Sequence, residues 1–513
     1  MQGCRHSQFT RTGEFFTKSE DKMNRRQLLL LGSMAGAVVA VPQLFSRTES
    51  ANAIDGAHPG HPPPPRGAAV TASTGQAPSV APFSVRMPVP PVARPVASRP
   101  DIDVYRIPIQ RAEVDILPGF ATSALTFAGH FVGPTIRART GRRTYVTFAN
   151  DADVPTNIHL HGGHVPPASD GHPMDLIDPG KWRHHDYPNR QRGATLWYHA
   201  HPHHVEAEHV YRGMHGFYLI EDPAEAELGL PGGEYDVPIL VRDAEFDAKG
   251  QLVLWGHPAN RTTILANGKP QPYFQVAARK YRFRFLNGAN ERTFTLSLGG
   301  TVMTQIASDG GLLPAPVPRT EFAFSPGERV EMVVDFSDYP PGTQLVLTDA
   351  AAGPVVRFDV TRKAADSSRV PTTLRALPAL GSATVTRDVV LSFDLTSGNP
   401  TGLVNDKPFD PNRVDFQIKR GATEIWNVTN GDGNYGFPHN FHLHLVQFRV
   451  LDRGGRPPLP GDAGLKDTVA VPPGETVRVQ ATFATDYLGR YMYHCHFLEH
   501  SSVGMMAQME IVP

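Results

Sequence analysis

The sequence predicts an all-β protein built from three related modules in series. Three observations lead there. Gly (47) and Pro (48) are both frequent among the 513 residues, which favours turns and short strands over long helices. From Asp101 onward, short apolar alternations are punctuated by Gly and Pro, and long helical periodicity is hard to find. Two short motifs also recur in the same order. Gly141-Arg142-Arg143-Thr144-Tyr145-Val146-Thr147-Phe148-Ala149-Asn150 matches Gly421-Ala422-Thr423-Glu424-Ile425-Trp426-Asn427-Val428-Thr429-Asn430, with a looser copy over Ala278 to Asn287. Pro326-Gly327-Glu328-Arg329-Val330 matches Pro473-Gly474-Glu475-Thr476-Val477, and each leads into an alternating strand ending at Phe336 or Phe483.

Taken in order, the chain opens on an export signal. Asn24-Arg25-Arg26-Gln27-Leu28-Leu29-Leu30 leads an apolar run to about Val41, too short to span a bilayer. Ala51-Asn52-Ala53 is a small-residue cleavage site, so residues 1–53 read as a twin-arginine (Tat) signal. That implies the Tat machinery as a partner, a periplasmic or secreted location, and no membrane span in the mature protein. Met23 stands just before the arginine pair as an alternative start. Residues 54–100, with Pro62-Pro63-Pro64-Pro65, read as a disordered polyproline-like linker. The repeat spacing then sets modules over 101–225, 226–370 and 371–513, each of ordinary domain size.

Charge excludes some functions. Lys and Arg (49) balance Asp and Glu (50) for a net charge of -1, so the chain lacks the basic excess of a nucleic-acid binder. The same balance argues against a polybasic membrane-surface protein. At 40% hydrophobic and 19% charged, the bulk of the chain reads as globular rather than disordered.

The 23 His and 2 Cys point to chemistry. Two Cys make no disulfide framework. Four His clusters stand out: His159-Leu160-His161, His199-Ala200-His201, His439-Asn440-Phe441-His442-Leu443-His444, and His494-Cys495-His496 with His500 and Met505 downstream. None falls between His257 and His439, so the middle module carries no His-based metal site. On a strand, His-x-His sets both rings on one face. Four such pairs supply eight imidazoles, which suit Cu, Zn, Fe or Ni alike. Cys495 narrows the choice. Its side chain points away from those of His494 and His496, where His439, His500 and Met505 are free to join it. Two His, a thiolate and a weak Met form the blue-copper set. The peptide from Cys495 to His494 and His496 would wire that site to the imidazole cluster. Leu196-Trp197-Tyr198-His199-Ala200-His201 aligns with Tyr491-Met492-Tyr493-His494-Cys495-His496, so Ala200 replaces the thiolate and only one blue site follows. His164, His172, His184, His185, His203, His204, His209 and His215 fall outside the paired pattern and read as surface or supporting residues.

Over about residues 101–513 these motifs resemble the multicopper oxidases, among them the bacterial group of spore-coat laccase and phenoxazinone synthase. The segments that carry the resemblance are His159-Leu160-His161-Gly162-Gly163, Asp170-Gly171-His172-Pro173, Gln191-Arg192-Gly193-Ala194-Thr195-Leu196-Trp197-Tyr198-His199 and Leu498-Glu499-His500. The resemblance implies three cupredoxin domains (Greek-key β-sandwiches) and four coppers. A type 1 copper would take His439, Cys495 and His500, with Met505 axial. A type 2 copper would take His159 and His442. A type 3 pair would take His161, His199, His201, His444, His494 and His496. Asp170 matches an acid that assists proton supply. One departure is plain: relatives often carry an acid directly after the residue matching His500, and here Ser501-Ser502 follow. Proton supply then falls to Asp170, Glu499 or water, with Glu499 left unassigned.

The implied reaction is laccase-type. Phenolic or other aromatic donors give up single electrons at the type 1 site, and Cys495, His494 and His496 pass them to the cluster that reduces dioxygen to water. Three rivals stand beside it: a metallo-oxidase acting on Cu(I), Fe(II) or Mn(II), a bilirubin-oxidase-like enzyme, and a non-enzymatic copper-binding protein. The 12 Met form no Met-rich insert of the kind cuprous specialists carry. Intact ligand motifs oppose a non-enzymatic relative that has lost its coppers, while a copper-sequestering protein would keep them.

Overall fold

The recurring sequence motif marks the same strand in each module. Arg143–Asn150, Lys280–Asn287 and Thr423–Asn430 each lie parallel to the module's early long strand: Ile102–Val114, Asp236–Ala244 and Val385–Asp394. On its other side each pairs antiparallel, with Trp182–Tyr187, Arg329–Asp335 and Thr476–Thr482. The strands Arg329–Asp335 and Thr476–Thr482 are those led in by the Pro-Gly motif. The first module has the same lead-in at Pro179-Gly180-Lys181, too short a match to stand out in sequence. Gly180, Gly327 and Gly474 all sit at positive φ (74°, 84° and 72°), the backbone a Pro-Gly turn requires.

This structure is a computed structural model and describes residues 78–254, 258–396 and 400–513. The Tat signal over 1–53 and the linker over 54–77 lie outside the described residues. Each module packs two sheets face to face over an apolar core, the sandwich expected of the sequence. Period-2 alternation explains which residues face inward. Val146 and Phe148 bury against Leu196, Tyr198 and Tyr218 of the opposite sheet, while Tyr145 and Thr147 turn outward. Trp426 and Val428 do the same against Phe441 and Tyr493 in the third module.

One expectation fails. Residues 78–100 form an ordered strap, not a disordered linker. Phe83 N donates to Gln271 O (2.7 Å), Met87 N to Tyr273 O (2.8 Å) and Ala93 N to Thr135 O (2.8 Å), so the strap crosses from the second module to the first. Ala97–Arg99 then pairs with Ile102–Val114. Proline suits such extended edge positions, and Met87 is buried in the second module's core. Composition alone registers the prolines and misses that anchor.

Two short helices matter below: α1, Glu206–Tyr211, and α2, Leu498–Ser502. They pack together across the boundary of the first and third modules, where Ala207 N donates to Ser502 Oγ (3.1 Å). No helix among the described residues is long and apolar enough to cross a membrane.

Candidate metal centre

The first and third modules present the same pair of strands to each other. His159–His161 runs antiparallel to Ala194–His199, with His159 opposite His199. His439–Leu443 runs antiparallel to Gly489–His494, with His442 opposite His494. Strand alternation accounts fully for His159 and His161. His201, His444 and His496 lie just past the strand ends, yet each ring stays with its partner: His199–His201 at 5.9 Å, His442–His444 at 4.9 Å and His494–His496 at 5.6 Å between centroids. All eight rings are buried in one cluster. Across the module boundary His159 stacks on His444 (3.8 Å) and His161 on His442 (3.7 Å).

Most of these rings are held from outside. His159 Nδ1 donates to Asp170 O (2.6 Å), His442 Nδ1 to Asp467 O (2.8 Å), His199 Nδ1 to Ala200 O (2.9 Å) and His494 Nδ1 to Cys495 O (2.9 Å). His444 Nδ1 pairs with Asp170 Oδ2 (2.8 Å), and His161 Nε2 with Asp467 Oδ1 (3.0 Å). Pinning one nitrogen fixes the tautomer and aims the other at a common point. The inward nitrogens crowd together, the unpinned His201 among them: His201 Nε2 and His444 Nε2 each lie 3.2 Å from His494 Nε2, and His442 Nε2 lies 3.5 Å from His159 Nε2.

That crowding fits metal. His201, His444 and His494 bring ligand atoms within 4.8 Å of one another, as do His159, His442 and His444, and His159, His161 and His199. His161 Nδ1, His199 Nε2 and both nitrogens of His496 are buried without a hydrogen-bond partner. Burial first, with the neighbouring imidazoles, holds His159, His161, His201, His442, His444 and His496 well below the usual histidine range. Burial takes His199 to about 3 and His494 to about 4. The rings are therefore neutral near pH 7, with lone pairs free for a cation.

Cys495 faces the other way, as its position between two cluster ligands dictates. Its Sγ lies 3.5 Å from His500 Nδ1 and 3.8 Å from His439 Nδ1. His439 Nε2 is held by Asp432 Oδ2 (2.9 Å). Burial pushes the thiol up to about 12, so a coordinating cation is what would make it a thiolate. Met505 is fully buried beside this trio, its carbonyl accepting from Cys495 N (3.1 Å). Every sequence-predicted ligand thus falls in one of two adjoining sites. Asp170 adjoins the imidazole cluster through His159 and His444, and burial raises its carboxyl well above the usual range. Gly171, at φ 80°, lets that loop close on the Ile158 carbonyl, where a Cβ would come within 2.1 Å.

Several residues of the site had no signal in sequence. The middle module, with no histidine at the cluster among its described residues, still lines it. Arg329 holds Asp467, and a Cβ on Gly327 would press the His496 ring at 3.0 Å. Asn440 Oδ1 accepts from His496 N (2.7 Å), while its Nδ2 donates to Pro326 O (2.8 Å) of the middle module. Glu206 is 1% exposed and accepts a short hydrogen bond from Ser501 Oγ. Burial, opposed by that bond, takes its carboxyl up to about 8. Glu499 turns instead to Arg261 Nη2 (2.7 Å) and Asn290 Nδ2 (3.1 Å). Among the other histidines, His185, His209 and His215 are core residues rather than surface ones. Ser169 O and Thr156 Oγ1 hold the first two.

Comparison with known proteins agrees with this geometry. Family models described as multicopper oxidase match residues 108–225, 240–365 and 384–513. A laccase of Bacillus subtilis (strain 168) is 35% identical over 510 residues, covering 84% of this chain and 98% of the relative. A bilirubin oxidase of Albifimbria verrucaria is 36% identical over 467 residues, 83% and 80% of the two chains. The crystal structure of a laccase from Pediococcus acidilactici superposes with a TM-score of 0.78 at 32% identity, covering 86% of this chain and 95% of that one. The chain belongs to the multicopper oxidase family, an oxidoreductase whose clustered histidines fit the copper that the family implies.

Proposed function

We propose that this oxidase is of the laccase type, coupling one-electron oxidation of phenolic or other aromatic donors to reduction of dioxygen to water. One observation carries the reading. Cys495 Sγ faces His439 and His500, while its chain neighbours His494 and His496 face the eight-imidazole cluster. Four coppers would be held: type 1 by His439, Cys495, His500 and Met505, type 2 by His159 and His442, and the type 3 pair by His201, His444, His494 and by His161, His199, His496. Bound copper supplies the one-electron chemistry and the reduction of dioxygen.

The chain supplies the rest. Carbonyl and carboxylate partners hold the rings in place before metal enters, which limits reorganisation. The covalent path from Cys495 through His494 or His496 joins the two sites. Asp170 holds His444 with Oδ2 and keeps Oδ1 buried without a hydrogen bond. We assign that carboxyl the holding and supply of protons beside the cluster. The laccase and bilirubin oxidase relatives support an aromatic or tetrapyrrole donor. The twin-arginine run at Asn24-Arg25-Arg26 supports export to the periplasm or beyond.

Oxygen uptake by the copper-loaded protein, measured with substituted phenols, bilirubin and cuprous, ferrous or manganous ions, is the test. Uptake with phenols is the expected result. A fully loaded protein that consumes no oxygen with any donor would sink the assignment.

A further inference from the structure

Resting on the copper assignment above, we propose that Glu206 is the carboxylate that positions His201, and that Ser501 ties it to the helix bearing His500. Six of the eight cluster rings have their outer nitrogen held by a carbonyl or carboxylate of the strands and loops around them. His201 is an exception. Its Nε2 faces the cluster, 3.2 Å from His494 Nε2, and its Nδ1 is buried without a hydrogen bond. Glu206 Oε1, also buried without a hydrogen bond, lies 3.6 Å from that Nδ1. Two complementary unpaired groups in the same dry interior are costly apart. A ring movement of about half an ångström brings them within N–H···O distance. His199 Nδ1 is 3.9 Å from the same oxygen but already donates to Ala200 O, so His201 is the ring that needs it.

The rest of the carboxyl's surroundings fixes its direction. Glu206 Oε2 accepts from Ser501 Oγ, and Ser501 follows His500 in α2. Ala207 N donates to Ser502 Oγ (3.1 Å), and Asn290 of the middle module holds Ala207 O (3.0 Å). One side chain of the first module therefore touches a cluster ligand and the helix that carries a ligand of the Cys495 site. Sequence gives no hint of this, because Glu206 and Ser501 are 295 residues apart.

The test uses copper-loaded full-length protein and a chelator titration, following copper per chain, the blue absorption of the Cys495 site and the near-ultraviolet absorption of the cluster. Glu206→Leu, which removes both oxygens, is expected to release cluster copper at about 10- to 100-fold lower chelator concentration, with the blue absorption kept. Ser501→Ala is expected to shift the same way by a smaller factor. Parent-like retention of cluster copper in Glu206→Leu overturns the proposal. If Glu206→Leu also loses its blue absorption, Ser501→Ala decides: early release of cluster copper alone supports the coupling, and parent-like release refutes it. A parent protein that takes up no copper overturns the copper assignment itself, a result distinct from either.

Discussion

Arg329 and Asp467 meet end to end between the middle and third modules, Nη1 to Oδ1 at 2.7 Å and Nη2 to Oδ2 at 2.6 Å. Both side chains are fully buried. Asp467 Oδ1 also pairs with His161, and the Asp467 carbonyl accepts from His442. A module with no histidine at the cluster among its described residues therefore sets the orientation of two rings.

Replacing Arg329 with Met leaves the Asp467 charge buried without its cation. Breaking a buried pair this way costs about 3–5 kcal/mol. Denaturant unfolding of copper-free protein should show a loss of that order, with less copper retained at the cluster. Unchanged stability together with unchanged copper content would remove the brace from the account.

Cys495→Ser removes the sulfur and leaves the flanking imidazoles in place. The blue absorption and donor oxidation should both vanish, while copper held by the eight rings remains. Absorbance and metal analysis on the same sample check it. Persistence of blue colour refutes the type 1 assignment.

Asp170→Asn keeps an oxygen that can accept from His444 but removes the acid. Copper content should hold while oxygen turnover falls by about 100-fold or more, the scale of general acid catalysis. Turnover at the parent rate would exclude Asp170 from proton supply.

His185 tests acid sensitivity apart from the metal. Burial lowers it from 6.5 to about 4, with Ser169 O pulling the other way. The unfolded chain then binds a proton that the folded one refuses between those two values, so stability falls as pH drops from about 6.5 to about 4. The penalty is on the order of 3 kcal/mol once the unfolded ring is charged and the folded one is not. Comparing parent and His185→Phe by denaturant unfolding at neutral and mildly acidic pH isolates this group. The variant should lose less stability on acidification, and an equal loss in both would contradict the argument.

Much of the fold was legible because its signals are local. Val146 and Phe148 alternate with Tyr145 and Thr147 whatever lies opposite, so strand and core face follow from period alone. Pro179-Gly180-Lys181 shows the limit, since three residues are too few to register as a repeat although they build the same turn. The strap over 78–100 shows another. Its prolines read as linker, and only the contacts of Met87, Phe83 and Ala93 reveal order.

The sequence by itself determined which side chains gather at the two sites. His494-Cys495-His496 divides its side chains between two sites by covalent geometry, and the paired histidines need only short stretches of backbone to stay together. Only the tertiary structure decided what holds them. Arg329 and Asp467 lie 138 residues apart, and Glu206 meets Ser501 across 295. A single charged residue carries no periodicity. Its role appears when packing removes water and leaves one partner within reach.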